Sequence, residues 1–260
     1  KRMDQRREQA LVGLASDLVR EENGRVVVVR FEEVPDQAPL TEDVAVQSTA
    51  DRSFERRIEA LGEEFDVDVE ADEIVSHDTK HAIVNFAKHR RVDAIVAEHE
   101  PLRLRSRLFG DPIDWVVRHA PCDVLLVDSA DPTTPEEVVV TAQNGVFPSS
   151  AIHVAEAVAD ARGTGVTLWS AAEDATPLAD RRAELASTLD TAVDAESIRT
   201  DQPLPETDLL IRRGPDHRVR GALFDEDQRF VGASGTTVTV YPRESRRPPL
   251  VRRLLERYVL

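Results

Sequence analysis

Arg25-Val26-Val27-Val28-Val29-Arg30-Phe31 is a nearly continuous β-branched run of strand length. It lacks the polar alternation of a half-solvated strand, so the fold must cover it on both faces, as parallel sheets are covered. A helical pattern precedes it: Ala10, Leu11, Leu14, Ala15, Leu18 and Val19 recur at helical spacing across 4–21, and Asn23-Gly24 supplies the stop. The alternation then continues. A polar, proline-punctuated loop over Glu33–Asp51 leads to a helix over 52–65 carrying Phe54, Ile58, Leu61 and Phe65. Val67–Ala71 alternates like a strand nearer an edge, and Asp78 is placed to cap a helix over 79–90. Strand Asp93–Ala97, a loop, a helix over Ile113–Arg118 and the apolar run Val124–Val127 complete the first half. Helices alternating with strands predict an α/β fold with a parallel sheet between helical layers.

Ser129–Pro135 is a polar, proline-bearing break, after which the pattern restarts. Glu137–Thr141 reads as a strand, 149–162 as a helix, Gly165–Trp169 as a strand and about 177–193 as a helix. A short strand near Ser197–Arg199, then Asp208–Arg212 and Thr236–Tyr241, follow. The second half therefore reads as a degenerate repeat of the first. The expected organisation is domain one at 1–130, a linker at 131–136, domain two at 137–244 and a basic carboxyl-terminal helix at 245–260. The repeat is unequal, because domain two has a strand before its first helix and domain one does not. A missing central strand would strand ladder groups unpaired. Two explanations fit: the first strand lies upstream in a longer polypeptide, or an unrecognised segment supplies it.

Composition narrows the partners. The formal charge is -16, which argues against nucleic acid, since a polyanion needs a positive footprint. Asp and Glu total 49, whereas lysine occurs only at positions 1, 80 and 88. Such a surface reads as adaptation to a salty cytoplasm, where charge is screened within about 3 Å at 1 M salt; an ordinary acidic protein is the alternative. The single cysteine, Cys122, permits no internal disulfide and fits a cytosolic setting. No stretch approaches the ~18 uninterrupted apolar residues of a membrane span.

Val92-Asp93-Ala94-Ile95-Val96-Ala97, the spaced Gly110, and Val116 through Val127 resemble the carboxyl-terminal signature of the universal stress protein family. The resemblance covers nearly all of the first half and is only topological in the second. It implies two tandem five-stranded, Rossmann-like parallel α/β units that pair as an internal pseudo-dimer. ATP-binding members carry glycine, two residues, glycine, nine residues, glycine and then serine or threonine. Their glycines let backbone N–H groups approach phosphate at the carboxyl ends of strands. The matching positions here are Ala97, Glu100, Gly110 and Asp111, so one of the four fits. A carboxylate about 4 Å from a phosphate charge costs about 4 kcal/mol at an effective dielectric of ~20. With two of them, the loop is expected to be vestigial and not to bind ATP.

Domain two offers no better cradle. In Gly214-Pro215-Asp216-His217 the proline removes a donor, Asn144-Gly145 departs from the acidic residue and glycine that the family often carries, and Gly232–Thr236 reads as a turn before an anion nest. His77 and His81 stand four residues apart, yet capping and solvation explain His77 better than ligation, and no metal site is expected. His119 suits a helix end, and Cys122 suits packing before a strand. No catalytic constellation or cofactor is expected. At the carboxyl terminus Arg246, Arg247, Arg252, Arg253 and Arg257 accompany Leu250, Val251, Leu254, Leu255, Tyr258 and Val259 at helical spacing. That helix either docks on its own domain or meets an acidic membrane surface or a membrane partner.

The resulting expectation is a non-enzymatic regulatory module of the cytoplasm. Tandem copies of this kind in salt-adapted archaea are similar to those fused behind permeases, which implies a cytosolic domain of an amino acid transporter, tethered to the membrane by its own polypeptide or bound to another. Homodimer formation beyond the internal pairing is left open. The alternative is a free-standing soluble universal stress protein that binds a nucleotide or other small ligand.

Overall fold

The structure, a computed structural model, describes residues 5–20, 22–35, 49–99, 112–128, 135–142, 147–170, 179–180, 182–183, 186–187, 193–197, 207–214 and 234–243. The first half runs α1 (Gln5–Val19), β1 (Arg25–Glu33), α2 (Thr49–Phe65), β2 (Asp68–Ser76), α3 (Thr79–Arg90), β3 (Ala94–Glu98), α4 (Pro112–His119) and β4 (Asp123–Asp128). The second runs β5 (Glu137–Ala142), α5 (Ser149–Arg162), β6 (Gly165–Ser170), β7 (Val193–Ser197), β8 (Thr207–Arg213) and β9 (Ser234–Tyr241).

Local chemistry sets most boundaries. Asn23 takes a left-handed φ of 49° after α1, and the Gly24 N–H returns to the Val19 carbonyl at 2.9 Å, closing the helix as its sequence signal requires. Asp78 is extended at the head of α3, and its side chain accepts the His81 backbone N–H at 3.2 Å. Gly163, at φ 67°, ends α5 by donating to the Ala159 and Asp160 carbonyls.

The strands form two sheets. β1 and β2 pair in parallel, with Arg25 opposite Asp68 and Glu33 opposite Ser76. The other seven lie in the order β3-β4-β9-β8-β5-β6-β7. All neighbours in it are parallel except β4 and β9, which run antiparallel with Leu125 opposite Val240. The last strands of the two halves thus form the seam. α1 and α5 pack on one side, where Leu14, Ala151, Ile152, Ala155 and Val158 meet Leu125, Val138, Val140, Val238 and Val240. α3 and α4 cover the other side of β3 and β4 through Ala87, Val116, Val117, Val124 and Leu126. A smaller cluster joins Val12 of α1 to Phe54, Ile58 and Leu61 of α2.

Five details differ from the sequence expectations. β2, expected at Val67–Ala71, runs on to Ser76 beside the full length of β1. β1 is not covered throughout: Val26 is buried, but Val27, Val28 and Val29 keep partial exposure, because among the described residues only β2 pairs with this strand. The strand expected near Ser197–Arg199 is β7 and starts at Val193, where a buried valine beside Val166 marks the core face better than the polar residues beyond it. The preceding helix accordingly ends before 193, and its described residues within 179–187 are helical. Ser234 and Gly235, read as part of a turn, instead open β9 against β8, two residues ahead of the expected start at Thr236. The expected helix at 245–260 and the pairs Asn144-Gly145 and Pro215–His217 lie outside the described residues.

Candidate functional site

Of the four phosphate-loop positions, Ala97 is described and Glu100, Gly110 and Asp111 lie outside the described residues. Ala97 stands opposite Leu126 in the β3–β4 ladder, partly buried against the core under α3 and α4. One residue on, Glu98 pairs with Val127, and the His99 N–H donates to the Val127 carbonyl at 2.8 Å. The carboxyl end of β3, where an open α/β sheet presents ligand-binding groups, is therefore well ordered by β4.

Among the described residues, its carboxylate is paired. The Arg7 guanidinium, in the first turn of α1, donates to the Glu98 carboxylate. Beside it, Arg57 of α2 grips buried Glu8 with two bonds, Nε to Oε1 at 2.5 Å and Nη2 to Oε2 at 3.1 Å. The guanidinium that stands at the end of β3, Arg7, is thus engaged by a carboxylate. The start of α4 is equally unsuited to an anion. Pro112 occupies its first position and has no N–H to give, and Asp114 places a carboxylate in the turn where the helix dipole would favour a ligand's negative charge.

A second concavity lies on the α1–α5 side, lined by Gln9, Gly13, Phe65, Val127, Arg162 and Asp208 among others. Its volume of about 70 Å³ is far below the roughly 300 Å³ at which small-molecule sites begin. Next to it, Arg162 Nε donates to Asp17 Oδ2 at 2.7 Å, joining α5 to α1. Burial pushes the Asp17 carboxyl above its ordinary value of 3.8, and the Arg162 charge and hydrogen bond pull it partly back.

The imidazoles are spread out. His77 Nδ1 lies 3.1 Å from the Val34 carbonyl, His81 Nδ1 2.9 Å from Asp78 Oδ2, and His89 Nδ1 2.7 Å from the Asn85 carbonyl. His81 and His119 flank Trp115 with ring centroids at 4.2 and 4.1 Å, a stack at the α3–α4 contact. Cys122 is buried with Val124 and Leu126. Among the described residues, no three His, Cys, Asp or Glu side chains converge as a metal site would need. The sequence reading missed Arg7, Glu98 and Asp114 as site residues. Pro112 and Asp114 stand openly at the helix start, whereas the Arg7–Glu98 contact spans 91 positions and leaves no local signal.

The universal stress protein family model matches residues 4–128. No curated protein matches the chain. Among solved structures, the cytoplasmic domain of a prokaryotic cation chloride cotransporter is 15% identical, with 85% of each chain covered and a TM-score of 0.57. A functionally unknown protein from Pseudomonas aeruginosa PAO1 is 16% identical, over 94% of this chain and 90% of the other, with a TM-score of 0.56. A Pseudomonas aeruginosa protein described as a universal stress protein is 15% identical over 89% and 87%, with a TM-score of 0.50. At these identities the likeness is one of fold.

Proposed function

We propose, from the match of the universal stress protein family model to residues 4–128, that the chain is a non-enzymatic regulatory module of that family with a lapsed nucleotide site, serving as a cytosolic domain of an amino acid transporter. The observation that carries the first part is the arrangement around Ala97. Arg7 is paired with Glu98, and α4 opens on Pro112 and Asp114. Glu100 and Asp111 add two more carboxylates to the same loop in sequence. A triphosphate brought here meets negative charge where it needs donors. Titration calorimetry of Mg-ATP into the chain tests it: heats indistinguishable from dilution are expected, and saturable micromolar binding lost on Gly110→Ala overturns it.

The transporter assignment is supported by the fold likeness to the cytoplasmic domain of a cotransporter. Amino acid transport as the specific setting, an internal pseudo-dimer of two like domains and adaptation to a salty cytoplasm belong to the same proposal. Fractionating native cells with an antibody against the module tests the tether. Recovery in the membrane fraction on a polypeptide much longer than 260 residues supports it. Recovery as a free 28.9 kDa cytosolic protein favours the soluble alternative.

A further inference from the structure

The concavity on the α1–α5 side lies where the two halves meet. α1, the end of α2 and β4 wall it from the first half, and α5, β8 and β9 wall it from the second. Its floor is apolar: Leu14, Val127, Val158 and Leu209 line it, each more than nine-tenths buried. Phe65, half-buried at the end of α2, adds an aromatic side wall. The volume of about 70 Å³ is the share of roughly two water molecules in the liquid, so the cavity holds the end of one side chain and no more.

The rim is charged, and its balance is negative. Arg162 is the one cation in the lining among the described residues, and Asp17 holds it: its Nε donates to Asp17 Oδ2 at 2.7 Å, with 18% and 5% of the two side chains exposed. Two exposed carboxylates, Glu64 and Asp208, stand beside this pair. Glu64 accepts the Gln9 amide through Oε1 at 2.6 Å, and Asp208 accepts the Glu136 N–H through Oδ2 at 2.8 Å. Each is thus oriented through one oxygen and keeps the other, and neither meets a cation among the described residues.

An apolar floor beneath an uncompensated negative rim is complementary to one kind of side chain, an aliphatic stem that ends in a cation. The net charge of -16 acts in the same sense at longer range, since it draws basic segments and repels acidic ones. Lysine carries a compact ammonium, whereas arginine ends in a planar fork that needs more room, so a cavity of this size selects lysine. Of the lysines in this chain, at 1, 80 and 88, the two described ones stand on α3, across the sheet from the cavity. We propose that the cavity is a docking point for a lysine side chain presented by a basic segment of a partner protein, with Glu64 and Asp208 receiving the ammonium and the four floor residues receiving the stem. Because both halves line the cavity, the two hold the bound lysine together.

The test titrates the isotope-labelled chain with the acetylated, amidated pentapeptide Gly-Gly-Lys-Gly-Gly and follows the amide resonances. It is run at about 0.15 M KCl, where attraction between exposed charges is screened beyond about 8 Å. Saturable shifts are expected at Gly13, Phe65 and Thr236, which line the cavity. Norleucine in place of the peptide's lysine keeps the stem without the ammonium and is expected to weaken binding about tenfold or more, as is arginine. Glu64→Gln combined with Asp208→Asn keeps the side-chain volumes and the acceptors for Gln9 and Glu136, and is expected to weaken the lysine peptide by a similar factor. Absence of saturable shifts, shifts confined to residues outside the cavity, equally tight binding of the norleucine peptide, or an unchanged affinity in the double variant overturns the proposal. Equal binding of the arginine peptide overturns the choice of lysine. Saturable binding seen only after residues 245–260 are removed overturns the partner as occupant, since the chain's own arginines then fill the cavity.

Discussion

Gly214 follows β8, and its N–H donates to the Val240 carbonyl at 2.8 Å. A Cβ there would stand 2.2 Å from Tyr241 Cε1, and Tyr241 is held by β9 and by the core under α4. Gly214→Ala is expected to destabilise by about 1–3 kcal/mol in urea unfolding, because the ring has to leave its packing; shortening Tyr241 to Leu in the same chain should recover most of the loss. Asp17 behaves differently. A buried carboxyl with a raised pKa is better tolerated protonated, so its stabilising contribution is full below 3.8 and is lost as the pH rises through the raised value. Asp17→Asn should remove that fall while keeping an acceptor for Arg162, and should change stability near neutrality by no more than about 1 kcal/mol. Denaturation midpoints between about pH 3 and 7 decide it; parallel curves for the two proteins would show that Asp17 does not set the slope. Neither feature was legible in sequence, since Gly214 with Pro215 reads only as a poor phosphate cradle and Asp17 sits on a polar-looking position of α1. Both depend on a neighbour distant along the chain.

At the scale of elements, the seam deserves the sharpest test, because one antiparallel pair joins two otherwise parallel arrays. Leu125 and Val240 stand opposite each other in it, and both are almost fully buried in the core that α1 and α5 share. Truncating either to Ala is expected to cost about 1–4 kcal/mol. If the halves depend on each other, the double variant departs from additivity by about 0.5–3 kcal/mol. Strict additivity would mean that this pair does not couple the halves. Helices and strands were largely legible because hydrophobic period and caps are local: Asp78 before α3 and Asn23-Gly24 after α1 act within five residues of themselves. Strand order was not, since the antiparallel partnership of β4 with β9 spans more than a hundred positions. β7 was misplaced because its buried valine lies among polar neighbours and its alternation is short. For the candidate site, the replacement of glycines by Ala97 and Glu100 was readable, whereas the pairing of Arg7 with Glu98 required the fold.

For the whole molecule, charge sets two opposing responses to salt. The net charge of -16 makes the folded state repel itself, and raising the salt from about 0.1 M to 1 M shortens the Debye length from about 10 Å to about 3 Å. Screening also weakens attractive pairs, but those that bind elements together are partly sheltered. Arg162 and Asp17 keep 18% and 5% side-chain exposure, Arg57 and Glu8 34% and 10%, and Arg30 holds Glu73 across β1 and β2 with bonds of 2.9 and 2.6 Å. Repulsion among surface carboxylates acts through water over longer distances, so it is the larger loss on screening. The melting temperature is therefore expected to rise by several degrees from about 0.1 M to 1 M KCl, most steeply at the low end, where the Debye length changes fastest. Differential scanning calorimetry across that range measures it. A flat or falling curve would show that the paired arginines, rather than the excess of acid, dominate the electrostatics, and would remove the argument that this surface is built for salt.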